Sequence, residues 1–423
     1  MKVFVFDLMA YGRQFDEFKA RRYIPYPLPR QNFDPEVGAR TFEEHLEAWE
    51  EMDRLGFDGV GLNEHHTTVH GLMNSPNMMA AAAAQRTKRL KFLILGNLLP
   101  MHNPLRIAEE LAMADLMSRG RILSGFARGA PREYGVFNIV PAESRARFEE
   151  AYEIIIKAWT EEVFSHEGKF WQFKDIAIWP RPYQQPHPPV WVPFTGSQET
   201  IEWAGKHNLS AVITDVSPGL TEDVVGHFAK SLARAGHRIT PDHLCVVADA
   251  FVADSKKAAI AEYSPSYLYF TQTLWHHGTI TEAGKNVELG PGYAATSSHN
   301  YVRPENRSSG GLDRSKIRMM ELPDVEARVE AGKLLFGSAK EVTDRLVALA
   351  ERTGAGSILI NVNNGAMPHR QYMEQLRRFG REVLPALQAH PVTRVPAAEQ
   401  ATRLDPQRSS SNKNAGTGHV STT

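Results

Sequence analysis

Cysteine is almost missing from this chain: one residue in 423. No intrachain disulfide and no cysteine-based zinc site can form, and Cys245, in the run Leu244-Cys245-Val246-Val247, reads as a small buried hydrophobe. Long apolar runs are missing too. None approaches the roughly 18 residues needed to cross a bilayer, and the first residues, Met1 to Asp7, lack the apolar stretch and small-residue cleavage site of a secretory signal. The expected home is a reducing cytoplasm. Nor does charge of one sign prevail. Lys and Arg total 48 against 49 Asp and Glu, a net charge of −1, so no broad basic field exists to attract nucleic acid or an anionic membrane. What is present is ordinary for a folded protein, with 42% hydrophobic, 23% charged and 9% aromatic residues, which excludes disordered and fibrous classes. Small-molecule chemistry is the expectation that remains.

Short β-branched runs alternate with longer segments of helical period. Strands are expected at 3–8, 59–64, 91–99, 122–127, 189–194, 211–215, 244–252 and 357–362, and the alternation is that of repeated β-α units on a parallel sheet. A helix with Thr41 as cap and Glu44 three residues on is expected to end at Gly56. Another starts near Ser144 and carries Phe148, Tyr152, Ile155, Ile156 and Trp159 on one face. Eight such units predict an α/β protein, a (β/α)8 TIM barrel over residues 1–390, with a doubly wound open sheet as the alternative. Segments 12–38, 164–189 and 265–323 do not fit the minimal barrel and read as insertions; the last, long and unpatterned, reads as a lid. Residues 395–423 read as a disordered tail.

The strand ends carry the chemistry. Gly59-Val60-Gly61-Leu62-Asn63-Glu64-His65-His66 places a carboxylate and two imidazoles where a barrel gathers its catalytic groups. Histidine moves protons near neutral pH, and Glu64 can orient a ring. Adjacent strand histidines point to opposite faces and His65, His66 and His70 lack helical H-E-x-x-H spacing, so no metal is expected. In Leu95-Gly96-Asn97, Gly96 permits close approach of a flat ligand, while the Asn97 amide offers a donor and an acceptor to a heterocycle; a plain bulge is the competing reading. Arg128, after the fourth strand, and Arg145, one helix later, can converge on an anion, although each alone also suits a surface salt bridge. The turn Thr195-Gly196-Ser197-Gln198-Glu199-Thr200 opens a helix and suits a phosphate, or makes Ser197 an ordinary cap. Together these features imply a nucleotide-like cofactor. No Walker loop and no G-x-G-x-x-G after a strand is present, which weighs against ATP and dinucleotides.

In this order, Asn63-Glu64-His65-His66, Gln85-Arg86-Thr87-Lys88-Arg89-Leu90, His102-Asn103-Pro104-Leu105-Arg106-Ile107-Ala108-Glu109-Glu110, Asp115-Leu116-Met117-Ser118-Arg119-Gly120-Arg121 and the closing Gly354-Ala355-Gly356 make the chain similar to the bacterial luciferase family of flavin-dependent monooxygenases. The Glu-His-His and Ser-Arg-Gly-Arg segments together are specific. The resemblance covers most of the chain. It implies a barrel that takes reduced FMN from a separate flavin reductase, reacts it with dioxygen to a flavin 4a-hydroperoxide, and inserts one oxygen atom into a small organic substrate. By the same resemblance His65 is the catalytic histidine, flanked by Glu64 and His66. Arg128 and Arg145 hold the flavin phosphate with Ser197 and Thr200, and Gly196 stands where luciferase has an acidic residue. Gly96 and Asn97 lie under the flavin ring, and Leu95-Gly96 falls where the family often has a cis peptide. Ala127 replaces a cysteine that some luciferases carry. Tyr11, Trp275, His276 and His277 are candidate substrate contacts. Family habit also implies a homodimer or homotetramer joined through the helices after strands two and three, with Ala80 to Ala84 in the contact. Two other functions remain in view: a deazaflavin-dependent hydride-transfer oxidoreductase of the same superfamily, and a non-catalytic flavin-binding subunit.

Overall fold

A computed structural model describes residues 1–194, 197–275, 324–365 and 367–403. The strands are β1 (Lys2–Asp7), β2 (Gly59–Leu62), β3 (Lys91–Ile94), β4 (Asn97–Leu98), β5 (Ile122–Ala127), β6 (Phe164–Glu167), β7 (Gln172–Ile176), β8 (Val190–Phe194), β9 (Ser210–Ile213), β10 (Leu244–Val252), β11 (Leu334–Gly337) and β12 (Ser357–Asn361). Strands β1, β2, β3, β5, β8, β9, β10 and β12 pair in that order, all parallel, and β12 returns to β1 in the register Phe4↔Leu359. The sheet is therefore closed, which decides for the barrel over the open doubly wound sheet.

Closure gives each strand two different faces. Side chains alternate along a strand, so Phe4, Leu93, Trp191, Val212, Cys245 and Leu359 meet inside the barrel as one cluster. Their sequence neighbours Val3, Val5, Val60, Phe92 and Val246 face outward, into a core shared with Trp49, Met52, Phe148 and Phe228 of the surrounding helices. Burying each such side chain contributes about 1.5–3 kcal/mol. Both faces being apolar is what makes the strands read as continuous hydrophobic runs.

Local chemistry sets the helix ends. The helix Pro35–Leu55 starts at Asp34, whose carboxylate accepts from the Glu36 amide at 2.9 Å, and stops at Gly56 with φ 90°. The expected cap at Thr41 is thus corrected: that hydroxyl lies inside the helix and donates to Val37 O at 2.7 Å. Pro35 at the first helical position moves the start upstream, because its missing N–H is not needed there. The helix Ser144–Thr160 begins where anticipated.

The insertions also acquire structure. Segment 164–189 contains the antiparallel hairpin β6–β7. The span expected to open an unpatterned lid at 265 is instead helical through Tyr269, with Pro265 inside the helix Lys256–Tyr269, followed by a π turn over Phe270–Leu274; residues 276–323 lie outside the described residues. The tail begins later than 395, since Pro396–Arg403 is a helix. Strand β11, which the sequence reading did not contain, pairs with the upper half of β10 in the register Asp249↔Leu334. Among the described residues no helix is long and apolar enough to cross a membrane.

Candidate active site

The C-terminal end of β2, strand β4 and the turn that follows it converge around Glu64. This carboxylate is 3% exposed. Its Oε1 accepts from His66 Nε2 at 2.8 Å and from His102 Nε2 at 2.5 Å, and its Oε2 accepts from the Leu98 amide at 3.0 Å. Burial alone works to raise the Glu64 pKa, but the hydrogen bonds from His102 and His66 and the Leu98 amide outweigh it, so the group is held below the ordinary carboxylate range. Glu64, His66 and His102 have ligand atoms within 4.8 Å of one another. The N···O separations are of hydrogen-bond length, and a carboxylate that only accepts requires each histidine to present its Nε2 proton. His102 is a member of this cluster that the sequence reading left out.

His65 points elsewhere. Its Nδ1 lies 3.1 Å from Oε1 of Glu133, a carboxylate 1% exposed in the short helix Pro131–Val136 after β5. Glu133 Oε2 accepts from the Ala130 amide at 2.7 Å, which fixes the side chain, and Arg132 lies 3.9 Å from it. A proton on Nδ1 held by Glu133 leaves Nε2 as the free basic nitrogen. The turn after His65 is pinned as well, by His65 N to Met73 O at 3.2 Å and by Asn74 Nδ2 to His65 O at 2.6 Å. The ring meets His70 edge-on at 4.9 Å and Trp275 at 6.5 Å. Trp275, 44% exposed, thus stands beside His65 as a substrate contact would; His276 and His277 lie outside the described residues.

The candidate anion site assembles in part. Arg145 Nη2 donates to Thr200 Oγ1 at 3.0 Å and to Ser197 Oγ at 3.5 Å, across the start of the helix Gln198–Lys206, where Ser197 also caps the Thr200 amide. Glu149 and Glu199 pair with the same guanidinium at 3.3 and 3.0 Å. Arg128, half-buried just past β5, has no hydrogen bond or ion pair among the described residues. Gly196 lies outside them.

At the ring site, Leu95–Gly96 is a cis peptide. Gly96 packs on β5 so closely that a Cβ there would lie 2.7 Å from Gly125 O. The expected role of the Asn97 amide is corrected. Its side chain leaves the barrel and exchanges two hydrogen bonds with Asn77, at 2.9 and 3.1 Å, so neither end is free for a heterocycle. Alternation is the reason: β4 turns Asn97 toward the helix layer. Tyr11 is likewise engaged through its hydroxyl, which donates to Asp34 O and accepts from Asp34 N. Only its ring lines a cavity of about 320 Å³, with Phe15, Tyr26, Leu28, Phe33 and Leu72.

Two further polar residues stand at the barrel mouth without having been singled out. Asp249 of β10 and Asn361 of β12 are paired in register, and Asn361 Nδ2 donates to Asp249 Oδ1 at 2.8 Å. A carboxylate inside the otherwise apolar run Leu244 to Val252 was the signal.

The family profile for luciferase-like monooxygenase matches residues 27–356. The chain is 31% identical to the uncharacterized protein y4wF of Sinorhizobium fredii over 82% of this chain and 94% of that one. It is 26% identical to the oxygenase component of the flavin-dependent trigonelline monooxygenase of Acinetobacter baylyi, over 85% and 94%. Among solved structures, the oxygenating constituent of 3,6-diketocamphane monooxygenase from Pseudomonas putida, in complex with FMN, superposes with a TM-score of 0.65 at 22% identity over 86% of this chain and 97% of that one. A closed barrel with Glu64, His65 and His66 at its carboxyl end and a match over most of the chain lead to one conclusion: the protein belongs to the luciferase-like monooxygenase family.

Proposed function

We propose that this protein is the oxygenase of a two-component system that accepts reduced FMN from a separate flavin reductase and uses dioxygen to oxidise a small organic substrate in the cytoplasm. The observation that carries this reading is the convergence of Arg145, Ser197 and Thr200 at a helix start on the barrel end that also holds His65. A guanidinium, two hydroxyls and the amides of a helix N-terminus are the donor set a phosphate monoester requires, and Arg128, which has no hydrogen bond or ion pair among the described residues, is a second cation for it. The residues therefore fit FMN. Reduced FMN, when bound, supplies the electrons with which dioxygen is activated for transfer of one oxygen atom.

The chain's own residues do the rest. Arg145 and the helix start hold the phosphate and so place the ring at the barrel mouth, far from the binding energy used to hold it. His65, its tautomer fixed by Glu133, presents Nε2 to take or return a proton. Trp275 and His70 pack against the His65 ring at 6.5 and 4.9 Å and restrict its orientation. The naming of the trigonelline relative as an oxygenase component supports a separate reductase.

A homodimer joined through the helices after the second and third strands is part of the proposal. Ala80, Ala83 and Ala84 are buried inside the subunit, while Ala81 is half-buried and Ala82 exposed on the same helix. Met78, on the helix Pro76–Arg86, and Met113, Leu116 and Met117, on the helix Pro104–Ser118, are exposed on adjoining helices and form an apolar patch of the kind that a second subunit covers.

Anaerobic titration with reduced FMN and with reduced riboflavin, followed by rapid mixing with dioxygen and a flavin absorbance record, tests the reading. Tight binding of FMN, with Arg145→Ala weakening it roughly 10- to 100-fold and leaving riboflavin unchanged, is expected for a phosphate clamp of charge-assisted hydrogen bonds. If reduced deazaflavin binds in place of FMN, the hydride-transfer alternative takes over. Binding of neither rejects the site.

A further inference from the structure

A second cavity, of about 310 Å³, lies outside the barrel wall, bordered by the turn after β9, the turn before β11 and the helix Ala339–Thr353. Ala248 lines it from the outward face of β10, opposite the inward-facing Val247. The cavity is therefore separate from the barrel mouth that holds His65. Arg345, Ala348, Leu349 and Arg352 reach it from one helix face, spaced as i, i+3, i+4 and i+7. Val216 and Leu335 add apolar surface, and Lys333 adds a third cation.

The three cations are short of acceptors. Arg352 is satisfied, since Nη1 donates to Glu222 and Nη2 to Val216 O at 2.9 Å. Lys333 donates only to the neutral Ser217 hydroxyl, which itself donates to Asp215 at 2.5 Å, so two ammonium protons are unused among the described residues. Arg345 makes no hydrogen bond or ion pair among the described residues, and its Nη1 is buried without an acceptor. Two carboxylates feel its charge, Glu330 and Glu341. Both are engaged elsewhere, Glu330 with Lys256 at 2.6 Å and Glu341 with the Ser338 amide and hydroxyl at 2.8 Å. Glu330 is the one acid in the cavity wall, and its side chain is 66% exposed. Burial holds the Lys333 ammonium below the ordinary lysine range despite Asp215, and Arg352 adds to the effect. A half-buried guanidinium beside such an ammonium is unfavourable unless an anion completes the pair.

We propose that this cavity binds a small organic acid, with its carboxylate on Arg345 and Lys333 and its apolar body against Val216, Leu335 and Leu349. The guanidinium fork matches the two oxygens of a carboxylate, and the ammonium adds a point charge beside it. A neutral ligand leaves both cations uncompensated, and an amine is repelled by them. The site is independent of the proposed function, because none of its residues belongs to the barrel mouth or to the phosphate clamp at Arg145. A ligand held between the turn before β11 and the helix Ala339–Thr353 binds only the folded chain, so it stabilises the fold by mass action.

Calorimetric titration of the full-length protein with benzoate, benzyl alcohol and benzylamine tests this, since the three share a ring and differ in the head group. Benzoate is expected to bind at least about tenfold more tightly than the other two, as charge-assisted hydrogen bonds require, and to raise the melting temperature. Arg345→Gln and Lys333→Gln should each weaken benzoate at least about tenfold while reduced-FMN affinity stays unchanged. The melting temperature of each unliganded variant, compared with the parent, separates lost binding from lost folding. Arg145→Ala should leave benzoate affinity as it is. No benzoate binding, equal binding of the alcohol or the amine, or benzoate affinity that survives both Arg345→Gln and Lys333→Gln overturns the inference. So does benzoate binding that only Arg145→Ala removes, which would place the acid in the phosphate clamp. Benzoate binding with no FMN binding would instead reject the flavin reading and leave this one standing.

Discussion

At His65 one contact sets the chemistry. Glu133 holds the Nδ1 proton at 3.1 Å, and a neutral amide in its place would still fit but would no longer stabilise a ring that gains charge. Glu133→Gln is expected to lower kcat by at least about tenfold, a part of the roughly 10²–10⁴ that a positioned acid–base group contributes in full, with reduced-FMN affinity unchanged in the titration above. Two carboxylates in the same barrel end should show opposite pH behaviour. Glu64 has its pKa lowered in the folded state, so its stabilisation is present above the unfolded value of 4.5 and is lost as pH falls through the folded value. Asp249 has its pKa raised from 3.8 to about 6, so stability is lost as pH rises through that window and stays lost above it. Calorimetric melting across the acid-to-neutral range should therefore find Glu64→Gln less stable than the parent at neutral pH, by about 1–3 kcal/mol, with the gap narrowing in acid. Asp249→Asn should be the more stable protein above pH 6, with its gap narrowing below pH 4; equal slopes for both variants would contradict the assignment of either group.

Strands and helices carry their own requirements. The barrel wall near the mouth depends on glycines where two backbones touch. A Cβ on Gly125 would fall against the carbonyl of Ile94, and one on Gly96 would press on Gly125 O. Backbone on both sides leaves nothing to yield, so Gly125→Ala should abolish soluble folded protein. Gly56→Ala, in the left-handed conformation but with open space around it, should cost only about 1 kcal/mol. Comparing the soluble yield and melting temperature of the two separates steric contact from backbone preference. At the helix Ala339–Thr353, Ser338 and Glu341 form a reciprocal capping box, and Ser338→Ala should lower stability by about 1 kcal/mol in urea unfolding.

For the whole molecule, the exposed methionines and Leu116 on the helices Pro76–Arg86 and Pro104–Ser118 form one surface. Leu116→Glu is expected to shift the light-scattering mass from a dimer to a single subunit while the melting profile of the subunit is retained. A parent protein that is already monomeric at micromolar concentration would remove that surface from the proposal. Much of the architecture was legible beforehand because it is written in local chemistry. Eight runs with two apolar faces, each followed by a helical period, specify a barrel almost without regard to loops, and Ser197 before a helix start specifies a cap. Glu64, His65 and His66 sit at a strand end, so position alone marked them as candidates. Other features depend on what lies across space. Asn97 reads as a ligand for a heterocycle until Asn77, 20 residues away, is seen to take both ends of its amide. His65 reads as a partner of Glu64 until Glu133, 68 residues on, turns out to hold it. By itself the sequence determined the eight barrel strands, their order, the absence of disulfides and which strand ends bear polar groups, because propensity and period act within a few residues. Only the tertiary structure decided which way each polar side chain turns and whom it meets, because barrel closure brings strands from opposite ends of the chain into register and the pairing of β10 with β12 puts Asn361 beside Asp249.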